Sequence, residues 1–398
     1  MSRFAFKVRI FTIEGLNAIS LALYFLFLFF FMQQEFGFGN MKNLMLGGYG
    51  GFVYMVASYA FGRFGRGIGF LRCLRLAFVT VALALGIGAK VEGLTAHLVV
   101  FTVSVLAMGF IWAPIQALSC AGEPAGRVQY MVGIYNTIWA SLVAVGYFGG
   151  GALFEAWTRG IFVVPAIIAI VQLIVLQGVS EVPDAPVVEE TGNEAPVGEE
   201  NEGSVPENIG RAFRTMSWIA NPFAFVAANV CTPTIPTLAE KFLLTPTMAG
   251  VFCSVWLFSR AGGFVLFWRW NGWHYHMGWL VTAFVSMVGG FALILMAPSL
   301  WMVLIAQLAF GLASGLIYSS SLYYSMHVDT KSQGEHGGVH EAVIGAGNFL
   351  GPMIGAAAIL AFPAHAHAGA IAVSVALAFG FIWIWRVWLG ASPSTVRS

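Results

Sequence analysis

Charged residues are scarce in this chain and make up only 9% of its 398 residues. A soluble domain carries charge on about a quarter of its residues, because its surface must be hydrated. Hydrophobic residues account for 59% of the chain, and half of the acidic residues fall in one short segment, which leaves the remainder poorer still in charge. The composition therefore excludes a soluble protein and indicates one whose surface is covered by the hydrocarbon of a lipid bilayer.

Signatures of several other functions are missing as well. The four cysteines lie in or beside apolar runs without metal-ligand spacing, so neither a metal site nor a disulfide framework is predicted. A net charge of +1 gives no field that would attract nucleic acid. The sequence has no P-loop and no HExxH pattern, and His365 with His367 is weak evidence for a metal. We expect no enzyme activity, no cofactor, no metal and no nucleic-acid partner.

Long apolar runs dominate what is present. A membrane-spanning helix needs about 20 apolar residues, because each residue rises about 1.5 Å through a hydrocarbon core about 30 Å thick. The first run is too long for a signal peptide and has no A-x-A site after it, so it is expected to remain as a span. The sequence predicts twelve spans, near residues 10–32, 43–62, 70–89, 96–119, 129–154, 160–178, 217–239, 246–268, 275–297, 299–325, 337–361 and 367–389.

The distribution of Lys and Arg predicts the orientation, because these residues concentrate in cytoplasmic loops. With twelve spans, fifteen of the nineteen basic residues fall on the side of the N-terminus. The other side holds only Lys42, Lys90, Arg159 and Lys241. We expect both termini in the cytoplasm and a location in the cell membrane, specifically the inner membrane of a bacterium.

The segment 181–210 is predicted to be a disordered acidic linker, because it is rich in Pro, Gly and Glu and cannot bury apolar surface. It divides the chain into a bundle of six helices over residues 1–180 and another over 211–398. The basic stretch NIGRAFRTMSW, which starts at Asn208, is expected to lie along the cytoplasmic interface.

The two halves match at a nearly constant offset of about 202 residues. The matched residues are Gly48 with Gly250, Leu106–Ala107–Gly109 with Leu308–Ala309–Gly311, and Gly149 with Gly351. A register shared by three pairs of spans implies a duplicated six-helix unit. The predicted fold is an all-α membrane protein with twelve transmembrane helices in two pseudo-symmetric bundles.

The loop between spans two and three reads SYAFGRFGRGIG. With its six-plus-six organisation, the chain resembles the major facilitator superfamily, whose corresponding loop carries a G-x-x-x-D-R-x-G-R pattern. Arg63, Gly65 and Arg66 fit that pattern, whereas Ser58 and Gly62 stand at its first Gly and its Asp. The carboxylate with which this motif normally secures the cytoplasmic gate is therefore absent.

Span eleven contains GNFLGPMIGA, which is similar to a glycine and proline pattern that marks drug antiporters when it lies in span five. Span five here lacks the proline, so a multidrug antiporter is not predicted. Small residues at this spacing allow helices to approach closely. Gly347, Gly351, Pro352 and Gly355 are interpreted as packing residues or as a pivot.

The resemblance implies a secondary active transporter, or a uniporter, that moves a small solute by alternating access. A sugar, an organic anion and an aromatic metabolite all remain open as substrates, with protons as a possible coupling ion. The alternative is a sensor or scaffold of the same fold that has lost transport. We expect a monomer.

Polar groups at membrane depth are expensive, so each is a candidate for function. Glu14, His340 and Glu341 are candidates for proton coupling; an interfacial position is the alternative for all three. Arg260 is the deepest basic residue; it either holds an anionic substrate, extends its side chain to the cytoplasmic surface, or pairs with a carboxylate such as Glu341.

Further candidates come from the spans that line the cavity in transporters of this type. The resemblance implies that Asn17, Gln116, Asn229, Gln307 and Tyr318 face that cavity. Trp112 and Asn136 are added as polar or amphipathic residues of spans four and five. For the hydroxyl-rich end of span ten, the aromatic belt at the membrane surface is the competing interpretation.

Overall fold

The computed structural model describes residues 2–179, 205–326 and 333–391, without the side chains of Arg66, Ala125, Gly126, Gln129 and residues 325–339. All regular secondary structure in this part of the chain is α-helical. The helices are α1 (Arg3–Phe36), α2 (Asn40–Ile68), α3 (Phe70–Gly88), α4 (Leu94–Met108), α5 (Trp112–Cys120), α6 (Ala125–Ala156), α7 (Gly160–Gln177), α8 (Glu207–Lys241), α9 (Pro246–Arg269), α10 (Met277–Met296), α11 (Leu300–Met326), α12 (Gln333–Ala361) and α13 (Ala368–Ala391).

Twelve segments of the described chain are helical, long enough and apolar enough to cross a membrane. The predicted number of spans is confirmed, and the chain is a multi-pass membrane protein with an all-α fold. Most of the predicted linker, residues 180–204, lies outside the described residues. The division into domains at 180 and 210 and the orientation of the termini stay predictions.

The stretch NIGRAFRTMSW differs from its prediction as a separate interfacial segment. It forms the first turns of α8, which continues without interruption to Lys241. The physical reason is Phe213, which is fully buried against the rings of Tyr275, Tyr324 and Trp388. This packing holds the amphipathic stretch against the bundle.

Span four was predicted as a single helix but consists of α4 and α5, with turn residues 109–111 between them. Pro114 explains the break, because a proline lacks an N–H and its ring collides with the carbonyl four residues earlier, here that of Phe110. The break places Trp112 at the beginning of α5.

Contacts of matched glycines recur in the two halves. A Cβ on Gly109 would lie under 3.0 Å from Ala57 on α2, and a Cβ on Gly311 would lie under 3.0 Å from Ser259 on α9. Ala57 and Ser259 are themselves separated by the same 202 positions in the sequence. The repeated sequence therefore corresponds to a repeated helix contact.

The third matched pair requires a shift of one residue. Gly351 packs against Val226 of α8, whereas Gly149 is exposed with no atom within 4 Å of an added Cβ. Gly150 is the residue that packs against Leu23 and Phe27 of α1. The offset is thus 201 in this pair of spans, and Gly150 is the counterpart of Gly351.

The two halves meet along two helix pairs, α2 with α12 and α6 with α9. Gly48 on α2 lies against Met353 of α12, and its counterpart Gly250 on α9 lies against the Tyr147 carbonyl of α6. Between these two seams the helices separate and leave a cavity, which contains the candidate site.

Candidate functional site: a central cavity between the halves

A cavity of about 240 Å³ lies between the two halves. The first half contributes residues from α1, α2, α4, α5 and α6, and the second half contributes residues from α8, α9, α11 and α12. Its wall is rich in aromatic rings from both halves, among them Phe25, Trp112, Tyr135, Trp139, Phe225 and Trp256. Such a wall favours an occupant with apolar surface, because burial of that surface removes it from water.

Arg260 brings a positive charge to this cavity. Its side chain is 4% exposed, and the guanidinium carbon lies 4.8 Å from the centre of the Trp139 ring and 5.3 Å from that of Tyr318. The rings of Phe264 and Phe225 follow at 5.4 and 5.6 Å. Four helices, α6, α8, α9 and α11, thus supply one ring each to a cage around the cation, and cation–π attraction stabilises it there.

The cage does not satisfy the hydrogen-bond donors of Arg260. Its Nε has no hydrogen-bond partner among the described residues. The ion pairs found in the described chain do not include it. The predicted pairing of Arg260 with Glu341 is therefore not present, although both side chains line the same cavity.

Glu341 is bound to the opposite half of the protein. Its Oε2 accepts a hydrogen bond of 2.6 Å from the Tyr54 hydroxyl on α2. His340 lies beside it, with 3.9 Å between His340 Nδ1 and Glu341 Oε1, and the other ring nitrogen of His340 is 3.4 Å from the Asn221 amide. The Glu341 carboxylate therefore links α12 to α2 across the cavity.

Asn229 also faces the cavity. Its amide donates a hydrogen bond of 2.6 Å to Asn348 Oδ1 and another of 3.0 Å to the Phe225 carbonyl. Both asparagines line the cavity, together with Thr232. This amide pair provides neutral donors and acceptors beside the aromatic wall.

Glu14 is fully buried on α1 and is not part of the cavity lining. Neither of its carboxyl oxygens has a hydrogen-bond partner of good geometry in the described chain. Tyr135 lies beside it, and Glu341 is close enough to interact with it electrostatically. Glu14 is thus buried among the helices of the protein, and its role in proton coupling stays a prediction.

Four of the predicted cavity residues lie elsewhere. Asn17 borders a separate cavity of about 20 Å³ inside the first half, and Gln307 borders another of about 30 Å³ inside the second half. Gln116 and Asn136 also fall outside the central lining. Asn17 and Gln307 turn toward neighbouring helices of their own half, which the number of the span alone does not reveal. Trp112, Asn229, Arg260 and Tyr318 do line the central cavity.

The predicted gating and packing residues divide into two groups. Arg63 is exposed, Gly65 accepts a backbone hydrogen bond from Gly69, and the Arg66 side chain lies outside the described residues. Gly347 and Gly351 allow α12 to approach the backbone of α8, Pro352 lies inside α12, and Gly355 faces Leu44 and Val373.

Tyr54, Tyr135 and Trp256 were missed from the sequence although they line the cavity. A tyrosine near the middle of a span carries a hydroxyl that needs a partner, and this signal would have drawn attention to Tyr54 and Tyr135. Trp256 has no comparable signal, because an apolar position in a span reads the same whether it faces lipid or a cavity.

The two halves touch on both sides of the cavity. At the end where α1 finishes, the Gln33 amide donates to Glu240 at 2.7 Å, and the Thr247 backbone N–H donates to Glu155 at 2.8 Å. At the opposite end, the Tyr130 ring of α6 lies 5.1 Å from Trp268 of α9. These two sets of contacts add to the α2–α12 and α6–α9 seams along which the halves meet.

Among the described residues, no group of three or more His, Cys, Asp or Glu side chains is arranged to hold a metal ion. The chemistry available in the cavity comes from one cation, one carboxylate, two amides, the hydroxyls of Thr232 and the lining tyrosines, and a wall of rings.

This arrangement, two sets of spanning helices around a shared central cavity, is the fold of major facilitator transporters. The nucleoside transporter NupG has a similar structure, with a TM-score of 0.68 at 12% identity over 96% of this chain and 99% of that one. The fold resemblance inferred from the sequence is confirmed. The sequence itself matches no family model and no curated protein.

Two further solved structures share the fold. One is a bacterial homologue of the human lysosomal transporter Spinster, in an inward-facing and unoccupied conformation, with a TM-score of 0.70 at 14% identity over 99% and 100% of the two chains. The other is the human organic anion transporter MFSD10, with a TM-score of 0.67 at 13% identity over 95% and 99%. At these identities the likeness establishes the fold alone.

Proposed function

We propose that this protein is a secondary transporter that moves a small solute across the membrane by alternating access. The observation that carries the proposal is the central cavity, which both halves line and which contains the buried cation of Arg260. A site between two similar halves is opened to one side and then the other when the halves rock against each other.

The contacts at the two ends of the cavity fit this motion. The hydrogen bonds Gln33–Glu240 and Thr247–Glu155 close one end, and the Tyr130–Trp268 contact lies at the other. Opening either end requires its own contacts to break while the others persist. Each of these end contacts is a hydrogen bond or a ring pair, and each is worth about 0.5–1.5 kcal/mol.

Energy for accumulation would come from protons bound at Glu341. This carboxyl lines the cavity, and its partner Tyr54 belongs to the other half, so its surroundings change when the halves move. Glu14 is a second candidate, since an ionised carboxylate without partners is costly when it is buried. Without such coupling the protein is a uniporter.

Counterflow in proteoliposomes tests the proposal. Vesicles loaded with an unlabelled solute are placed in a labelled pool of the same solute, and a carrier produces a transient accumulation of label. Arg260→Ala and Asn229→Ala are expected to abolish or weaken it, whereas a control at the exposed Arg127, changed to Ala, retains it. Exchange that persists in both cavity variants would contradict the proposed location of the site.

A transport-inactive sensor or scaffold is the second candidate. The observation that favours it is Gly62, which stands where the loop motif of these transporters has its acidic residue. A solute that stabilises the purified protein but shows no counterflow in either direction would establish this alternative.

We also propose a monomer in the inner membrane of a bacterium, with both termini in the cytoplasm. The excess of Lys and Arg on one side of the predicted topology supports the orientation. Reporter fusions at each terminus would test it, since a signal from outside the cytoplasm at either end contradicts it.

A further inference from the structure

The Arg260 side chain is deeply buried, but its hydrogen-bond donors are not all paired with acceptors. A guanidinium has five N–H donors and stays charged in proteins, so its donors require acceptors or water. The four rings around it attract the charge through their faces but accept no conventional hydrogen bonds along the N–H directions. A buried charge left without an opposite charge is strongly destabilising. The site is therefore built for an acceptor that the described chain does not supply.

The carboxylate that could neutralise Arg260 is engaged elsewhere. Glu341 accepts the short hydrogen bond from Tyr54 and faces His340, and it makes no ion pair with Arg260. Arg260 and Glu341 are the two charged residues of the cavity lining. One positive group without a partner calls for a ligand with a single negative charge, because a second negative charge would have no cation to meet.

The shape and surface of the cavity restrict the remainder of the ligand. The cavity has a volume of about 240 Å³. This is below the range of about 300–1,000 Å³ typical of sites for drug-sized ligands. The rings of Trp139 and Tyr318 border both Arg260 and the open space, so a flat apolar group next to the anion would be covered by aromatic surface.

We propose that the substrate of this cavity is a compact aromatic monocarboxylate, and this inference rests on the proposed transport function. The carboxylate would bind the guanidinium of Arg260 through two N–H donors, the geometry for which a guanidinium is pre-organised. The ring would lie among Trp139, Tyr318 and Phe225. A polar substituent on the ring would be within the region of the Asn229–Asn348 pair.

Other classes fit less well. A phosphate ester carries about two negative charges and is bound elsewhere by several donors and cations, whereas the lining offers one cation. A cationic solute would be repelled by Arg260. A sugar carries no negative charge, so the buried cation of Arg260 would stay without an opposite charge.

Binding to the purified full-length protein separates these possibilities. The probes are benzoate, its neutral isostere benzamide, the saturated analogue cyclohexanecarboxylate, and inorganic phosphate, measured by calorimetry in detergent. Benzoate is expected to bind at least tenfold more tightly than benzamide, since a hydrogen-bonded charge pair is lost. Cyclohexanecarboxylate is expected to bind several-fold more weakly than benzoate, because the stacking contribution disappears.

Two variants localise the effect. Arg260→Gln is expected to lower benzoate affinity about 10- to 100-fold and to leave benzamide affinity unchanged. Arg260→Lys keeps the charge but loses the planar pair of donors, so it should recover only part of the affinity. A thermal melt of each variant shows that the protein is folded, and Trp388→Phe, far from the cavity lining, serves as the aromatic control.

The inference is overturned if benzamide binds as tightly as benzoate, if Arg260→Gln binds benzoate normally, or if none of the carboxylates binds the folded wild-type protein. Counterflow with the same probes then keeps the two proposals apart. Arg260-dependent binding of benzoate without counterflow contradicts transport but retains the ligand class. Counterflow of a neutral solute that does not depend on Arg260 contradicts the ligand class but retains transport.

Discussion

Two arginines of this protein lie against aromatic rings, and their environments differ. Arg159, between α6 and α7, has its guanidinium 5.3 Å from the Phe31 ring and donates to the Val91 carbonyl and to His97 Nε2, both at 3.1 Å. Arg260 has four rings around it and an Nε without a partner. Contacts with aromatic rings therefore do not distinguish an arginine that stabilises the fold from one that binds a ligand. The number of its N–H donors that already have an acceptor in the protein does distinguish them.

The contrast between the arginines predicts opposite effects of the same substitution. Arg260→Gln is expected to lower ligand affinity about 10- to 100-fold, because the acceptor that the cation awaits is the ligand. It should leave the melting temperature unchanged or raise it, since an uncompensated buried charge is removed. Arg159→Gln is expected to leave affinity unchanged and to destabilise the protein by about 2 kcal/mol through lost charge-assisted hydrogen bonds.

Calorimetry and thermal melts on both variants provide the measurement. If Arg159→Gln weakens binding as much as Arg260→Gln, unpaired N–H donors do not distinguish a ligand-binding arginine from a structural one. If Arg260→Gln strongly lowers the melting temperature, the ring cage around Arg260 stabilises the fold, and the interpretation of Arg260 as an anion site is wrong.

Much of the fold could be predicted from the sequence, because the bilayer imposes one length and one polarity on every span. Most predicted spans agree with the structure within a few residues. The predictions were wrong where local contacts determine the helix boundaries. Pro114 interrupts the helix of span four, and the packing of Phe213 makes the stretch NIGRAFRTMSW part of α8. The sequence offset was also one residue off at Gly149, because neighbouring glycines cannot be told apart without knowing which one touches α1.

The site was less predictable than the fold. A polar residue in a span is visible in the sequence, but the direction in which its helix turns it is not. Asn229 faces the central cavity and Asn17 faces the interior of its own half, although both were assigned by the same reasoning. Arg260 was recognised as a deep cation, yet its cage draws rings from four helices that are distant in sequence.

The two buried carboxyl groups, Glu341 and Glu14, also lie in different environments. Glu341 lines the cavity with Tyr54 and His340 beside it and shares that lining with Arg260 and Tyr318, whereas Glu14 lies behind the lining beside Tyr135. One proton per solute changes the accumulation ratio tenfold for each unit of pH difference across the membrane. Glu341→Gln is expected to abolish this dependence while exchange at equal pH persists.

Glu14→Gln tests the second candidate, and it is expected to keep the response to a pH gradient because the Glu14 carboxyl does not line the cavity. Uptake into proteoliposomes with an imposed pH gradient measures both variants. A pH response that survives Glu341→Gln and disappears in Glu14→Gln would transfer the coupling role to the deeper carboxyl. If wild-type uptake does not respond to the gradient, the protein is a uniporter.

The smallest expected effect concerns two amides, and it tests whether an unpartnered polar atom marks a substrate site by itself. Asn17 Nδ2 has no partner in the described chain, yet it borders a cavity of about 20 Å³ shared with Ser20, Tyr24 and Ser104. That space and its polar atoms suit a single ordered water and exclude a solute. Asn229 is well bonded to Asn348 but faces the larger cavity.

Asn229→Ala is therefore expected to lower affinity about 2- to 10-fold, the value of a neutral hydrogen bond or two, whereas Asn17→Ala should change it by less than about twofold. The same calorimetric titration with benzoate measures both, and melting temperatures exclude misfolding. An Asn17→Ala variant that binds more weakly than Asn229→Ala would mean that the substrate reaches the first half behind α1. A polar group without a hydrogen-bond partner, such as Arg260 Nε, therefore indicates a substrate site only when the space that it faces is large enough for a solute.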